Sequence, residues 1–255
     1  MYYQQVGRAG RALPERRWCC CAARGPRHPG LLHRLGIPGG RTRRGASWDV
    51  ALDPVVVAKA REHHRWAELL VEPRLQWPTG MGEPKGRIAA EVRLQPGRAL
   101  SVLGDGGFGG LVRKGREAGE LSEALVDAAA ELVGRRWRPD PFPTWVTCVP
   151  STRHPDLVPM FAERLAKALE LPFLPMLSKT RETAPQAEME NSQQQFANVW
   201  GAFEVEASEV PPGQPVLLVD DLQDSRWTLT VVGAVLIEAG SGPVSPFVLA
   251  KSVSD

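Results

Sequence analysis

The residues best suited to chemistry lie in one stretch of the chain, PVLLVDDLQDSRWTLT. Asp220 and Asp221 follow four apolar residues, and Asp224, Ser225 and Thr228 come soon after them. A continuously apolar run is typical of a strand buried on both faces, and the residues that follow predict the start of a helix. The free amides and the dipole at a helix N-terminus favour a phosphate. The stretch therefore predicts a site for a ligand that carries both hydroxyl and phosphate groups.

Carboxylates beside a phosphate site also suit Mg²⁺, which prefers carboxylate and phosphate oxygens. We expect Asp220 and Asp221 to hold Mg²⁺ through the bound ligand. The alternative is that the two acids belong to a helix cap and a solvated turn, with no ligand.

Alternating strands and helices are predicted to position these residues. The predicted strands are TWVTCVP, PFLPMLSK, AFEVE, PVLLVD and VSPFVLAKS, and the predicted helices are GELSEALVDAAAELVGRRW, PDLVPMFAERLAKALEL and TLTVVGAVLIEAG. This alternation indicates an α/β fold, with a parallel twisted sheet that helices cover on both faces. In such folds ligands bind beyond the carboxyl ends of the strands.

The rest of the chain differs in composition, and we divide the 255 residues into four segments. Residues 1–12 form a short motif, 13–47 an Arg-, Gly-, Pro- and Cys-rich segment that we expect to be disordered, 48–112 a small helix-plus-strand linker or hood that includes the glycine loop GDGGFGG, and 113–255 the α/β domain. A one-base frame shift would turn Trp18 to Cys21 into a strand-like apolar sequence, so the second segment is interpreted as a frame-shifted remnant.

Charge is distributed unevenly between the two ends of the chain. Residues 1–48 carry ten Arg, no Lys and one acid, whereas the remaining residues are net acidic, so that the net charge of the whole is only +2. A basic arm of this kind can bind nucleic acid or another polyanion.

The cysteine content and the hydropathy of the sequence indicate the cellular compartment of the protein. Three of the four cysteines are contiguous, from Cys19 to Cys21, and the fourth is Cys148, which fits neither a disulfide framework nor a zinc-binding spacing. No run approaches the length of a membrane span, and the N-terminus has no signal-type apolar stretch. We expect a cytoplasmic protein with no membrane partner.

The acid-pair stretch resembles the ribose-phosphate signature of type I phosphoribosyltransferases. The resemblance implies that Asp220 and Asp221 hold the ribose hydroxyls of phosphoribosyl pyrophosphate, and that the loop with Ser225 and Thr228 holds the 5′-phosphate. It also places Asp224 where some members have an acid/base that acts on the purine.

One position departs from the pattern of this family. Arg226 stands where the family has a glycine, a residue that allows positive φ and close approach to phosphate. The guanidinium of Arg226 can instead contact the phosphate itself.

Two further stretches fit the same family. CVPSTRHPDL occupies the place of the pyrophosphate loop, which makes Ser151, Thr152 and Arg153 candidate pyrophosphate contacts. KTRETAPQ resembles the mobile loop of competence-type ComF domains, in which Lys179 and Arg181 would close over the pyrophosphate. A nucleotide is the other ligand that the resemblance implies, and a homodimer is a further expectation.

The opening YYQQVGRAGR resembles motif VI of RecQ-type DNA helicases, with Gln5, Arg8 and Arg11 at the motif positions. The chain is therefore interpreted as the C-terminal part of a bacterial helicase fused to a phosphoribosyltransferase domain. It carries no phosphate-binding P-loop, so we do not expect it to act as a helicase by itself.

Three functions are compatible with the sequence. The leading one is Mg²⁺-dependent transfer of ribose 5-phosphate from phosphoribosyl pyrophosphate to a base. The second is a non-catalytic module that binds a metabolite or nucleic acid and regulates the helicase. The third is the product of a damaged gene, without activity.

Overall fold

The computed structural model describes residues 69–80, 82–184 and 189–252. The predictions made for Gln5, Arg8 and Arg11, for the basic arm and for the first part of the hood segment lie outside these residues.

Within the described residues, seven strands form two sheets. The strands are β1 (Leu69–Val71), β2 (Gly97–Val102), β3 (Trp145–Cys148), β4 (Leu177–Lys179), β5 (Phe203–Val205), β6 (Val216–Gln223) and β7 (Val244–Lys251). The larger sheet has the order β1-β2-β7-β6-β3, in which only β1 is antiparallel to its neighbour. The remaining two strands, β4 and β5, pair with each other in an antiparallel sheet.

In the part of the chain that the structure describes, five α-helices connect or flank these strands. They are α1 (Phe108–Ala118), α2 (Glu123–Glu131), α3 (Leu157–Ala168), α4 (Ser192–Val199) and α5 (Trp227–Glu238). Helix α2 continues into a π-helical turn over Leu132–Trp137.

The larger sheet is covered on both faces. One face packs on α1, α2 and α3 and contributes Leu217 and Val219 of β6 to the core. The other face packs on α4 and α5 and contributes Val216 and Leu218. The prediction of an α/β fold with a mostly parallel sheet between helices is confirmed, because the apolar runs of β3, β6 and β7 are buried on both faces.

Two of the predicted strands contribute little to the parallel sheet: PFLPMLSK meets it only in an isolated parallel bridge between Phe173 and Val146, and AFEVE does not join it. Strands β4 and β5 are three residues long, and each exposes its middle residue, Ser178 and Glu204. A half-exposed pair of this kind suits an antiparallel ladder better than the interior of a parallel sheet.

The glycine loop is shorter than predicted, because α1 begins at Phe108 and takes up Gly109 and Gly110. Strands β1 and β2, which the sequence division assigns to the linker or hood, lie in the same sheet as β3, β6 and β7. The division of the chain into segments stays a prediction.

Helix α1 lies unusually close to β2. A Cβ atom built on Gly109 would lie 1.8 Å from the carbonyl oxygen of Val102. The Asp105 carboxylate accepts hydrogen bonds of 2.9 Å from the amides of Gly107 and Gly109, which fixes the turn between strand and helix. Only glycine fits at this contact.

We expect Gly109→Ala to destabilise the protein, because the methyl group must push α1 away from Val102, and overpacking of this kind costs about 1–3 kcal/mol. Gly106→Ala is the matched control in the same turn, since a Cβ there meets no described atom within 4 Å. Thermal unfolding measures both variants. Equal Tm values for the two variants would show that the helix can move at no cost.

Candidate functional site

The two carboxylates lie within strand β6 rather than after it. The strand continues to Gln223, so Asp220 and Asp221 lie within its C-terminal half. Successive side chains of a strand point to opposite faces. Asp220 therefore shares the face of Leu218, towards α4 and α5, and Asp221 shares the face of Val219, towards α1.

Asp221 forms an ion pair with Arg116 of α1. The side chain of Asp221 is 13% exposed and that of Arg116 is 27% exposed, so the pair is largely shielded from water. Sequence reasoning missed Arg116. The signal was present, because Arg116 follows Val112 at a four-residue spacing on the apolar face of α1, where a charge requires a partner.

Asp220 is buried, with only 8% of its surface exposed. Burial and the neighbouring charge of Asp221 raise the pKa of Asp220 well above its ordinary value. Two contacts oppose this rise in pKa: the Asp221 amide, which donates a 2.9 Å hydrogen bond to the Asp220 carboxylate, and the charge of Arg116. The carboxyl group is thus held in a fixed orientation in a poorly solvated place.

A cavity of about 330 Å³ lies at the carboxyl end of β3 and the start of α3. Three of its lining residues, Ser151, Thr152 and Lys179, were predicted from two distant segments of the sequence. The others are Cys148, Pro150, Pro155, Pro159, Pro175 and Leu177, none of which the sequence analysis selected as a lining residue.

Lys179 links this cavity to the acid pair. Burial lowers the pKa of its ammonium group, the charge of Asp220 acts in the opposite direction, and the charges of Arg153 and Arg181 lower the pKa further. Asp220, Lys179, Arg153 and Arg181 therefore share one electrostatic environment. This is the charge pattern that a polyanionic ligand with hydroxyl groups requires.

The loop between β6 and α5 is ordered by its own hydrogen bonds. Ser225 is buried and its hydroxyl accepts a 3.3 Å hydrogen bond from the Trp227 amide. Asp224 and Thr228 are half-buried on either side of it. The loop brings Asp224, Ser225 and Thr228 together at the N-terminus of α5, as the sequence predicts.

Arg226 occupies the loop without backbone strain. Its φ is −75°, so the position does not need the positive φ that glycine would allow. Its guanidinium lies 3.9 Å from the Glu72 carboxylate, a contact that holds it next to the segment after β1.

The side chains of the other two predicted loops bond within the protein. The Ser151 hydroxyl accepts a 3.3 Å hydrogen bond from the His154 amide. Arg181 donates hydrogen bonds of 3.0 and 2.9 Å to the carbonyl oxygens of Ala197 and Trp200, at the end of α4. Arg181 is therefore engaged by α4 in this structure rather than directed at the cavity.

An aromatic cluster fixes the N-terminus of α5. The rings of Trp77 and Phe196 lie 6.3 and 5.1 Å from that of Trp227, and Trp200 packs on Phe196 at 5.1 Å. The indole N–H of Trp227 donates a 2.8 Å hydrogen bond to Ser192. The ring of Trp77 thus packs within the protein, against Phe196, Trp200 and Trp227.

Cys148 lines the cavity in surroundings that disfavour its thiolate form. Burial and the nearby charge of Asp220 raise the pKa of its thiol to about 12, and only the thiolate is a nucleophile.

Within the described part of the chain, no group of three or more His, Cys, Asp or Glu side chains could hold a metal ion. In those same residues no helix is long and apolar enough to cross a membrane.

Structural comparison finds adenine phosphoribosyltransferases. The enzyme from Saccharomyces cerevisiae, in complex with an imino-altritol bisphosphate and adenine, is 14% identical over 77% of this chain and 89% of its own, with a TM-score of 0.37. The enzyme from Thermoanaerobacter pseudethanolicus is 19% identical over 55% of this chain and 72% of its own, with a TM-score of 0.36.

A third similarity is to an allosteric regulatory enzyme of purine biosynthesis, which is 21% identical over 49% of this chain, with a TM-score of 0.34. The chain covers only 25% of the length of that enzyme. No protein-family model and no curated protein matches the sequence.

We expect Asp220→Asn to stabilise the protein at neutral pH. The pKa of Asp220 in the folded protein lies above its ordinary value of 3.8, so the stability that this group contributes is full below that value and is lost as the pH rises through the raised pKa. Asparagine removes this loss. The Tm difference between variant and wild type should be smallest below the ordinary pKa of 3.8 and should grow as the pH rises above it.

Asp221→Asn is the matched control, because it leaves Arg116 without its partner and should lower the Tm at neutral pH. A Tm of Asp220→Asn at or below that of the wild type at every pH would contradict the raised pKa.

We expect Cys148 to resist alkylation in the folded protein, since its thiol stays protonated at neutral pH. Mass spectrometry after iodoacetamide treatment at about pH 8 should show the Cys148 peptide unmodified without urea and modified in urea. Rapid modification of the native protein would show that the thiol is exposed or ionised.

Proposed function

We propose that the α/β domain binds phosphoribosyl pyrophosphate and transfers its ribose 5-phosphate to a base. One observation carries this proposal. Three separate segments, which contribute Asp220, Lys179 and the Ser151–Thr152 loop, converge at the carboxyl edge of the parallel sheet. Carboxylate oxygens accept from hydroxyl groups, and cationic side chains and loop donors bind phosphate.

Each part of the ligand has a partner in this arrangement. Asp220, on the face of the sheet turned to α5, accepts hydrogen bonds from the ribose hydroxyls. Ser225 and Thr228 hold the 5′-phosphate with the free amides of α5, and Arg226 adds a charge beside them.

The pyrophosphate lies in the cavity between the loop after β3 and the end of β4. Ser151, Thr152 and Lys179 line that cavity, and Arg153 contributes positive charge to it. Arg181 joins them only when its hydrogen bonds to α4 are broken.

The donor set fits Mg²⁺ that arrives with the ligand. Magnesium in phosphate-binding sites is usually held by one or two carboxylates and by the phosphates of the substrate. Asp220 supplies a carboxylate, whereas the carboxylate of Asp221 is taken up by its ion pair with Arg116. When bound, Mg²⁺ would neutralise charge on the pyrophosphate.

The transfer breaks the bond between ribose C1 and the pyrophosphate oxygen, which leaves with the electron pair. A nitrogen lone pair of the base forms the new bond to C1, and the proton of that nitrogen passes to a base on the protein, a role that we assign to Asp224. Lys179 and Arg153 stabilise the charge on the departing pyrophosphate. The remaining contacts hold the two reactants in place.

A second function is a non-catalytic module that binds the same metabolite, a nucleotide or nucleic acid. Two observations favour it: the engagement of Arg181 by α4 and the Arg226–Glu72 contact, which together leave fewer cations free for the phosphate groups of the ligand. The motif YYQQVGRAGR, with Gln5, Arg8 and Arg11, supports a link to a RecQ-type helicase that such a module would regulate.

We expect micromolar binding of phosphoribosyl pyrophosphate that depends on Mg²⁺, measured by isothermal calorimetry. Asp220→Asn and Lys179→Gln should each weaken binding at least about tenfold, because each removes a hydrogen bond to a charged group. Arg135→Gln is the control for loss of a positive charge, since Arg135 is 80% exposed and pairs with Glu131 on the surface.

No binding by folded wild-type protein would refute the proposal. Binding accompanied by release of pyrophosphate with a panel of bases supports the transferase, and binding without turnover of any base supports the regulatory module.

A further inference from the structure

We propose that Arg116 is a positioning residue of the ligand site, which holds Asp221 so that Asp220 alone meets the ribose hydroxyls. This inference rests on the proposed function, because it concerns how the proposed ligand is bound. Arg116 itself lies outside the ligand contacts. It also separates the two carboxylates, which the sequence analysis treated as equivalent.

The faces of β6 give the first argument. Asp221 points to the face covered by α1 and is bound there by Arg116, whereas Asp220 points to the opposite face. The charge of Asp220 acts on Lys179, which lines the cavity. A ligand that extends from that cavity past Lys179 therefore approaches the face of β6 that carries Asp220, while the side chain of Asp221 is turned to a cation of the protein.

The fixed depth of α1 gives the second argument. Gly109 brings the helix into contact with the Val102 carbonyl, and Asp105 fixes the turn before it. Val112 and Arg116 follow on the same face of α1, three and seven residues after Gly109. The guanidinium of Arg116 is therefore placed beside the sheet by a helix in close contact with β2, rather than by a flexible loop.

A hydrogen bond connects the ion pair to Asp220. The Asp221 amide donates a 2.9 Å hydrogen bond to the Asp220 carboxylate. When Arg116 holds the Asp221 side chain, it also limits rotation of the backbone at Asp221, and that backbone orients the carboxylate of Asp220. Arg116 thus holds Asp221, the backbone of Asp221 orients the carboxylate of Asp220, and Asp220 contacts the ligand.

A double-mutant cycle tests this order. The variants are Arg116→Met, Asp221→Asn and the two combined, and the measured quantity is the Kd for phosphoribosyl pyrophosphate with Mg²⁺. Calorimetry is done well below the lowest Tm of the set. Arg113→Met is the control in the same helix, because Arg113 is exposed.

We expect Arg116→Met and Asp221→Asn each to raise the Kd about three- to tenfold, as expected for loss of an interaction that acts through a neighbour. The combined variant should bind no more weakly than the weaker single variant, since both changes break one ion pair. Arg116→Lys should recover most of the affinity, and Arg113→Met should bind as the wild type does.

Other outcomes overturn the inference. An unchanged Kd for Arg116→Met, or effects of the two single variants that multiply in the combined one, would show that the ion pair only stabilises the fold. Loss of all binding in Asp221→Asn with normal binding in Arg116→Met would show that Asp221 contacts the ligand directly. No binding by the wild type would instead refute the proposed function, and this inference with it.

Discussion

The main constraint on the structure is that two adjacent carboxylates lie in a strand that is buried on both faces. Charged groups in such a place require partners of opposite charge or hydrogen-bond donors. Asp221 forms an ion pair with Arg116. Asp220 accepts a hydrogen bond from the amide of Asp221 and interacts electrostatically with Lys179. Helix α1 supplies Arg116 on one face of the strand, and β4 supplies Lys179 on the other. Burial and the charge of Asp221 raise the pKa of Asp220, and perturbed pKa values of this kind are typical of functional sites.

The elements that the sequence predicts well are those whose own apolar composition indicates that they are buried. The apolar runs of β3, β6 and β7 are buried on both faces and most of helix α5 is buried, so their type follows from composition and length. The acid pair and the loop with Ser225 and Thr228 could be recognised for the same reason, because they directly follow such a run.

The missed features depend on contacts between distant segments. Arg116 lies far from Asp221 in sequence, and the residues around Arg116 do not indicate which acid pairs with it. Strand β2 and helix α1 are joined by glycines that resemble a flexible loop, yet Gly109 is needed for close packing rather than for flexibility. The engagement of Arg181 by α4 is likewise invisible in the stretch KTRETAPQ, which contains only its donor.

The aromatic cluster has an optical consequence. The indole rings of Trp77 and Trp227 lie 6.3 Å apart and only 12° from parallel, close enough for their excited states to couple. Trp227 is the first residue of α5, immediately after the loop that carries Ser225 and Arg226. The near-ultraviolet circular dichroism of the protein is therefore an internal reporter on the geometry of that loop, and no added label is needed to observe it.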